Sequence, residues 1–185
     1  AIVDTVAQAA EASGRPAPVA DGRLFAVASE AASLIRGEKP PPYAAVEFSL
    51  TQHGIIEPSP HLLMMQAEEN DIEGVRRELS SRLGPILATD LARVGVGFYK
   101  PKPDDPLVLI VIAFQSSFVM TEPIARSTPK NGTITIIGQL LNPYREPSVF
   151  VTETTGSVSK LAVETQGVAG FKALVRCAGT PGRRQ

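Results

Sequence analysis

His53, Glu57 and His61 are spaced at intervals of four residues, and imidazole and carboxylate donors of this kind can hold a zinc ion while leaving a position open for water. They include both histidines of the chain. The spacing is compatible with a divergent metal-dependent hydrolase or protease. A plainer reading also exists, because Glu57-Pro58-Ser59-Pro60 imposes an extended path between the two rings. On that reading His53 ends a helix beside the negative end of its dipole, His61 lies on the surface, and no metal or other cofactor is expected.

Two further sets of side chains bear on chemistry. Ser80, Ser81, Ser116 and Ser117 are hydroxyl nucleophiles in type, yet each needs a base from only two histidines and none lies in a nucleophile-elbow setting. Glu68, Glu69 and Asp71 could pair as general acid and base, but acids that open a helix are already explained by its dipole. Acid-base chemistry needs such groups gathered in one pocket, and nothing in the pattern demands it. The expectation is a protein that is not an enzyme.

The elements that must position these residues follow from periodicity. Ile2, Val3, Val6, Ala9 and Ala10 recur at helical spacing as far as Ser13-Gly14. Asp21 is an N-cap for a second helix, with Leu24, Phe25, Ala28, Ala31, Ala32 and Ile35 on one face as far as Gly37. A third helix is expected over about Ala44–His53, ending at Gly54. His61–Ala67 has no helical face and reads as a buried strand, after which Asp71 caps a fourth helix bearing Ile72, Val75, Leu79 and Leu83.

From Arg93 the period changes to two. Arg93–Tyr99 and Leu107–Phe114 read as strands joined through "KPKPDDP", and an all-apolar second strand requires cover on both faces, which the helices can provide. Beyond 123–132 come four strand patterns, Thr133–Leu141, Ser148–Thr154, Val158–Thr165 and Gly170–Cys177, with turns at Asn142-Pro143, Thr155-Gly156 and Gly167. Asn131-Gly132-Thr133 matches a glycosylation acceptor and equally an Asn-Gly turn.

The composition, 43% hydrophobic and 20% charged with a net charge of −1, is that of an ordinary globular protein. Residues 1–126 carry 11 basic and 16 acidic side chains and residues 127–185 carry 7 and 3, which suggests two units and gives no basic surface for nucleic acid. The longest apolar run, Leu107–Phe114, is too short for a membrane span. Cys177 is the only cysteine, so no internal disulfide forms, and it is expected in a strand, at least nearly buried. The opening residues lack the charged and apolar regions of a leader, which fits one already removed or a chain cut from a longer one. The tail "AGTPGRRQ" follows no closing strand, which suggests a truncated β module.

Three stretches, "VAQAAEASGRPAPVADGRLFAVASEAASLI", "LGPILATDLARVGVGFY" and "LVLIVIAF", together covering about 1–120, resemble the CAP superfamily of cysteine-rich secretory, antigen 5 and pathogenesis-related proteins, especially its bacterial SCP-like members. The resemblance implies an α/β/α sandwich with the two strands in its middle layer and small Gly95 and Gly97 admitting a close helix. It also implies a secreted, periplasmic or cell-surface location. That family's cleft holds two histidines and acidic residues that bind a divalent metal. Here the matching positions read "ASEAASLI" and "SSRLGPI", without histidine, and Glu68-Glu69-Asn70 only echoes its Gly-Glu-Asn motif. The metal site is therefore expected to be lost.

The fold expected is α+β: a CAP-like α/β/α sandwich over 1–122, a linker over 123–132, and a small antiparallel β module over 133–185. The role expected is a non-catalytic binding or structural module of a secreted or envelope-associated bacterial protein, its partner a protein or an apolar small molecule. Some CAP relatives carry lipid or sterol, and a cleft for such a ligand would lie beside Met64, Met65, Glu68, Glu69 and Phe98. Tyr43, Phe48 and Tyr99 are expected mostly in the core.

Overall fold

Alternation along one strand decides how this protein is layered. In Arg93–Tyr99 the residues Arg93, Gly95, Gly97 and Tyr99 face one side, while Val94, Val96 and Phe98 face the other. A Cβ on Gly95 would collide with the backbone of Leu24, and one on Gly97 with the backbone of Ala28 and Ser29. A helix backbone thus rests directly on the strand, which only glycine permits.

The computed structural model describes residues 1–35, 39–125, 127–178 and Gly182. Gly37, the expected end of the second helix, Arg126 of the expected linker, and residues 179–181 and 183–185 of the tail lie outside the described residues. The protein is α+β, with four helices and several small sheets among the described residues. It divides into two compact units, Ala1–Ser117 and Phe118–Gln185.

In the first unit, helices α1 (Ile2–Ala12), α2 (Gly22–Leu34), α3 (Tyr43–Gln52) and α4 (Ile72–Ile86) accompany strands β1 (Val19–Ala20), β2 (His61–Glu68), β3 (Arg93–Tyr99) and β4 (Leu107–Gln115). The strands form one sheet in the order β1-β3-β4-β2, with β1 parallel to β3 and the remaining pairs antiparallel. Asp21 caps α2 by accepting from the Arg23 amide, and Asp71 caps α4 by accepting from the Gly74 amide. Gly14 and Gly54, just beyond α1 and α3, take left-handed φ values of 71° and 68°.

Both sheet faces are covered, as the apolar β4 requires. On one face Val6, Ala10, Val75, Leu79 and Leu83 of α1 and α4 pack with Val94, Val96, Ile110, Ile112 and Phe114. On the other, Leu24, Val27, Ala28 and Ala31 of α2 and Val46 and Leu50 of α3 pack with Val111 and Ala113. Tyr99 joins this second cluster partly buried, whereas Tyr43 and Phe48 are 65% and 69% exposed. The core placement expected for those two is corrected: α3 turns only its Val46, Ser49 and Leu50 side inward.

The second unit holds a four-stranded antiparallel sheet, β5-β6-β10-β9, and a two-stranded ribbon, β7-β8. Its strands are β5 (Val119–Thr121), β6 (Thr133–Leu140), β7 (Val149–Thr152), β8 (Val158–Leu161), β9 (Val163–Gln166) and β10 (Gly170–Arg176). β5 pairs with β6, so residues 118–122 belong to this unit and not to the first, where the expected boundary placed them. The run expected as one strand over 158–165 is two: β8 pairs with β7, and after Ala162 the chain changes partner and β9 pairs with β10. Asn131 takes φ 65°, its amide donates to the Cys177 carbonyl at 3.0 Å, and the Asn-Gly turn is present. Cys177 itself is half-buried, one residue past β10.

Replacing Gly95 or Gly97 by Ala is expected to lower stability by about 1–3 kcal/mol each, because a methyl group overpacks the α2 contact. Urea unfolding with unchanged slope and a lower midpoint would show it. Wild-type midpoints for both variants would mean that α2 does not rest on β3.

Candidate functional site

The histidines do not meet. His53 follows α3 directly, and its Nε2 lies 2.8 Å from Oε1 of Glu30 on α2. The other Glu30 oxygen accepts the Ser49 hydroxyl, and Ser49 is one turn before His53. The hydrogen bond from Ser49, followed by that from His53, holds the Glu30 carboxyl below its ordinary value. Glu57 is buried, with Oε1 3.1 Å from Nη2 of Arg93 and Oε2 accepting the Ile56 amide at 3.0 Å. His61 is exposed at the start of β2, its ring centroid 6.5 Å from that of Phe114.

The three candidate metal ligands therefore have three different partners. No group of three His, Cys, Asp or Glu side chains among the described residues is placed to hold a metal ion. This corrects the His53, Glu57, His61 alternative: the Pro58-Ser59-Pro60 segment carries His61 onto the sheet while Glu57 turns inward to Arg93. The serines also have local roles, since the Ser80 and Ser81 hydroxyls donate to the Arg76 and Glu78 carbonyls of their own helix.

Arg93, a residue that sequence reasoning passed over, is fully buried. Its Nη1 donates to Oδ2 of Asp21 at 2.8 Å, and Nη2 faces Glu57 without the alignment of a hydrogen bond. Arg23 adds a second cation on Asp21, with Nη2 at 3.2 Å from Oδ2. Burial pushes the Asp21 carboxyl up, but hydrogen bonds from Arg23 and then Arg93 outweigh it and hold the group below its ordinary value. The cluster is structural: it ties the start of α2 to the start of β3, where the Asp21 amide also donates to the Val94 carbonyl at 3.0 Å. The sequence signal was an arginine in phase with Gly95 and Gly97, on the side of the strand that had to be buried.

An open cleft of about 480 Å³ lies on the opposite face of the sheet. Ile2, Val3 and Thr5 of α1 form one wall, and Ile72, Val75 and Leu79 of α4 form another. Val96, Phe98, Val108 and Ile110 of β3 and β4 supply its base, and Glu68, Glu69, Asp71 and Arg76 also border it. Of the expected cleft residues, Glu68, Glu69 and Phe98 line it and Met64 and Met65 do not. Met65 is buried beneath α4 and Met64 packs on the α2 side, because neighbours along β2 point to opposite faces. The α1 and α4 residues were missed as ligand-facing because their helical spacing is that of an ordinary core.

At the cleft edge, Lys100 Nζ lies 2.6 Å from Glu69 Oε2, and Arg76 Nη1 lies 3.2 Å from Glu73 Oε1. Asp71 is engaged with the Gly74 amide at 2.8 Å. Glu69, Glu73 and Asp71 are thus each held by a partner at the edge of the apolar base. No protein-family model matches the chain, and no curated protein is similar to it at a significant level. Among the described residues no helix is long and apolar enough to cross a membrane.

Two outcomes follow from the ion pairs. Asp21→Ala leaves Arg93 buried beside Glu57 alone and is expected to destabilise the first unit by about 3–5 kcal/mol, measurable by urea unfolding; a loss under 1 kcal/mol, roughly the surface-pair range, would mean that the pair is solvated. Glu30 has a lowered value, so its contribution is full above its ordinary pKa of 4.5 and is lost as pH falls through the lowered one. Glu30→Gln should therefore lower the melting temperature at neutral pH, with the gap to wild type closing under acid conditions. A gap independent of pH would show that the carboxylate charge is not what matters.

Proposed function

We propose that the first unit is a non-catalytic ligand-binding module, a CAP-like domain without that family's metal site, in a secreted or envelope-associated bacterial protein. The observation that supports this reading is the cleft between α1, α4 and the sheet: its walls are apolar, its volume is in the range of small-molecule sites, and its carboxylates stand at the edge. Helices cover both faces of the unit's sheet. The reading of a metal-dependent hydrolase draws no support from His53, Glu57 and His61, which lie apart.

Burial of an apolar body against Ile72, Val75 and Phe98 would supply the affinity, since each removes hydrophobic surface from water. Ile72 and Phe98 are 59% and 57% exposed, so the unliganded cleft presents apolar surface that a ligand would cover.

The uncharged fluorescent probe N-phenyl-1-naphthylamine tests this. Saturable binding with one site per chain is expected, weakened at least tenfold in Thr5→Trp and Val108→Trp, which fill the cleft from one wall and from its base; unfolding curves would confirm that both variants fold. No saturable binding, or a stoichiometric metal lost in His53→Ala and His61→Ala, would overturn the proposal.

A further inference from the structure

The charges around the cleft narrow the class of ligand. Glu68, Glu69 and Asp71 border it, and Glu73 stands one residue into α4 beyond its first lining position. The cations at the cleft are Lys100, Arg76 and the Ala1 amino group, each already paired, with Glu69, Glu73 and Asp4 in turn. Asp71 is occupied as a helix cap. Glu68 is different: its side chain is exposed at the end of β2 and has no hydrogen bond or ion pair among the described residues.

The N-termini of α1 and α4 also border the cleft and add about half a positive charge each. Asp4 and Glu73 lie in those first turns, each held there by its own cation, the Ala1 amino group and Arg76. The carboxylates of Asp4, Glu68, Glu69, Asp71 and Glu73 outweigh these cations and the two helix termini at the edge of an apolar groove, and among the described residues that border it the unengaged formal charge is the Glu68 carboxylate.

We infer that the cleft takes an amphipathic cation, a small molecule with a flexible apolar body and a primary ammonium head set against Glu68. This deepens the binding role proposed above and rests on it. The body would lie along Val75, Val96 and Val108, and the ammonium would replace the water on the Glu68 carboxylate. A fatty acid of the same length would bring its carboxylate against Glu68 and Glu69 and be disfavoured. The cleft is of small-molecule size, so the inference concerns amphiphilic amines and not a basic helix or strand of another protein.

The test compares three ligands with the same tail, dodecylammonium, dodecanoate and dodecanol, by displacement of N-phenyl-1-naphthylamine at neutral pH, low salt and concentrations below micelle formation. Dodecylammonium is expected to bind roughly tenfold more tightly than dodecanoate, with the ratio shrinking as salt is added. Glu68→Gln should reduce that ratio toward parity and Glu68→Lys should reverse it, while dodecanol binds all three proteins alike. Thr5→Trp should weaken every ligand, which separates cleft binding from adsorption on acidic surface.

Equal affinity for the three ligands, a preference for dodecylammonium that survives in Glu68→Lys, or undiminished dodecylammonium binding in Thr5→Trp would overturn the inference and leave the cleft as an apolar site. Failure of all three ligands and of the probe to bind would overturn the binding role itself.

Discussion

The ion pair between Asp21 and Arg93 is the constraint on which the first unit depends. An arginine with no solvent exposure must be met by charge and by hydrogen bonds, because an isolated buried cation costs several kcal/mol or more. Asp21 meets it while also ending the approach to α2: its carboxylate accepts from the Arg23 amide, and its own amide donates to the edge of β3. One residue thus fixes where α2 starts, the angle at which it leaves the sheet, and the phase of β3. Glycines at 95 and 97 then let the helix lie flat on the strand.

That arrangement also explains why the cleft is on the other face. With α2 pressed onto the glycine side, Val96 and Phe98 must point the opposite way, where α1 and α4 cover the sheet less completely near Phe98 than near Val94. The exposed Phe98 and Ile72 are the uncovered remainder. Acidic residues gather at this end because β2 finishes there and α4 begins, and a helix start favours Asp and Glu whether or not a ligand is present. Glu68 precedes the cap and is not needed for it, which is why its carboxylate remains unengaged.

Much of the first unit was legible in the sequence because its elements are long and strongly periodic. The caps at Asp21 and Asp71, the breaks at Gly14 and Gly54 and the strand Arg93–Tyr99 all stand where local chemistry puts them. What escaped was set by pairing across distance. β1 is two residues long and exists only because Ala92 and Val94 offer it carbonyls, and β5 is three residues long and follows an obvious β4 in sequence. The change of partner at Ala162 leaves no trace in composition. At the cleft, Glu68, Glu69 and Phe98 could be named from the chain, yet Met64 and Met65 could not be assigned a face without the register of β2 against β4. Arg93 was hidden by the apolar run around it, since a charge inside such a run states a problem without naming the residue that solves it.

The pairing of Asp21 with Arg93 spans 72 positions of the chain, and β1 joins β3 over a similar separation. This has a consequence for synthesis. A nascent chain exposes α1 and α2 well before the strand that buries them exists, and a contact of such sequence separation closes late. The hairpin of β3 and β4 is local and needs no earlier element to form its ladder. Assembly in the order hairpin, then β2, then the amino-terminal helices would leave the apolar side of α2 uncovered until β4, which ends at Gln115, has been translated.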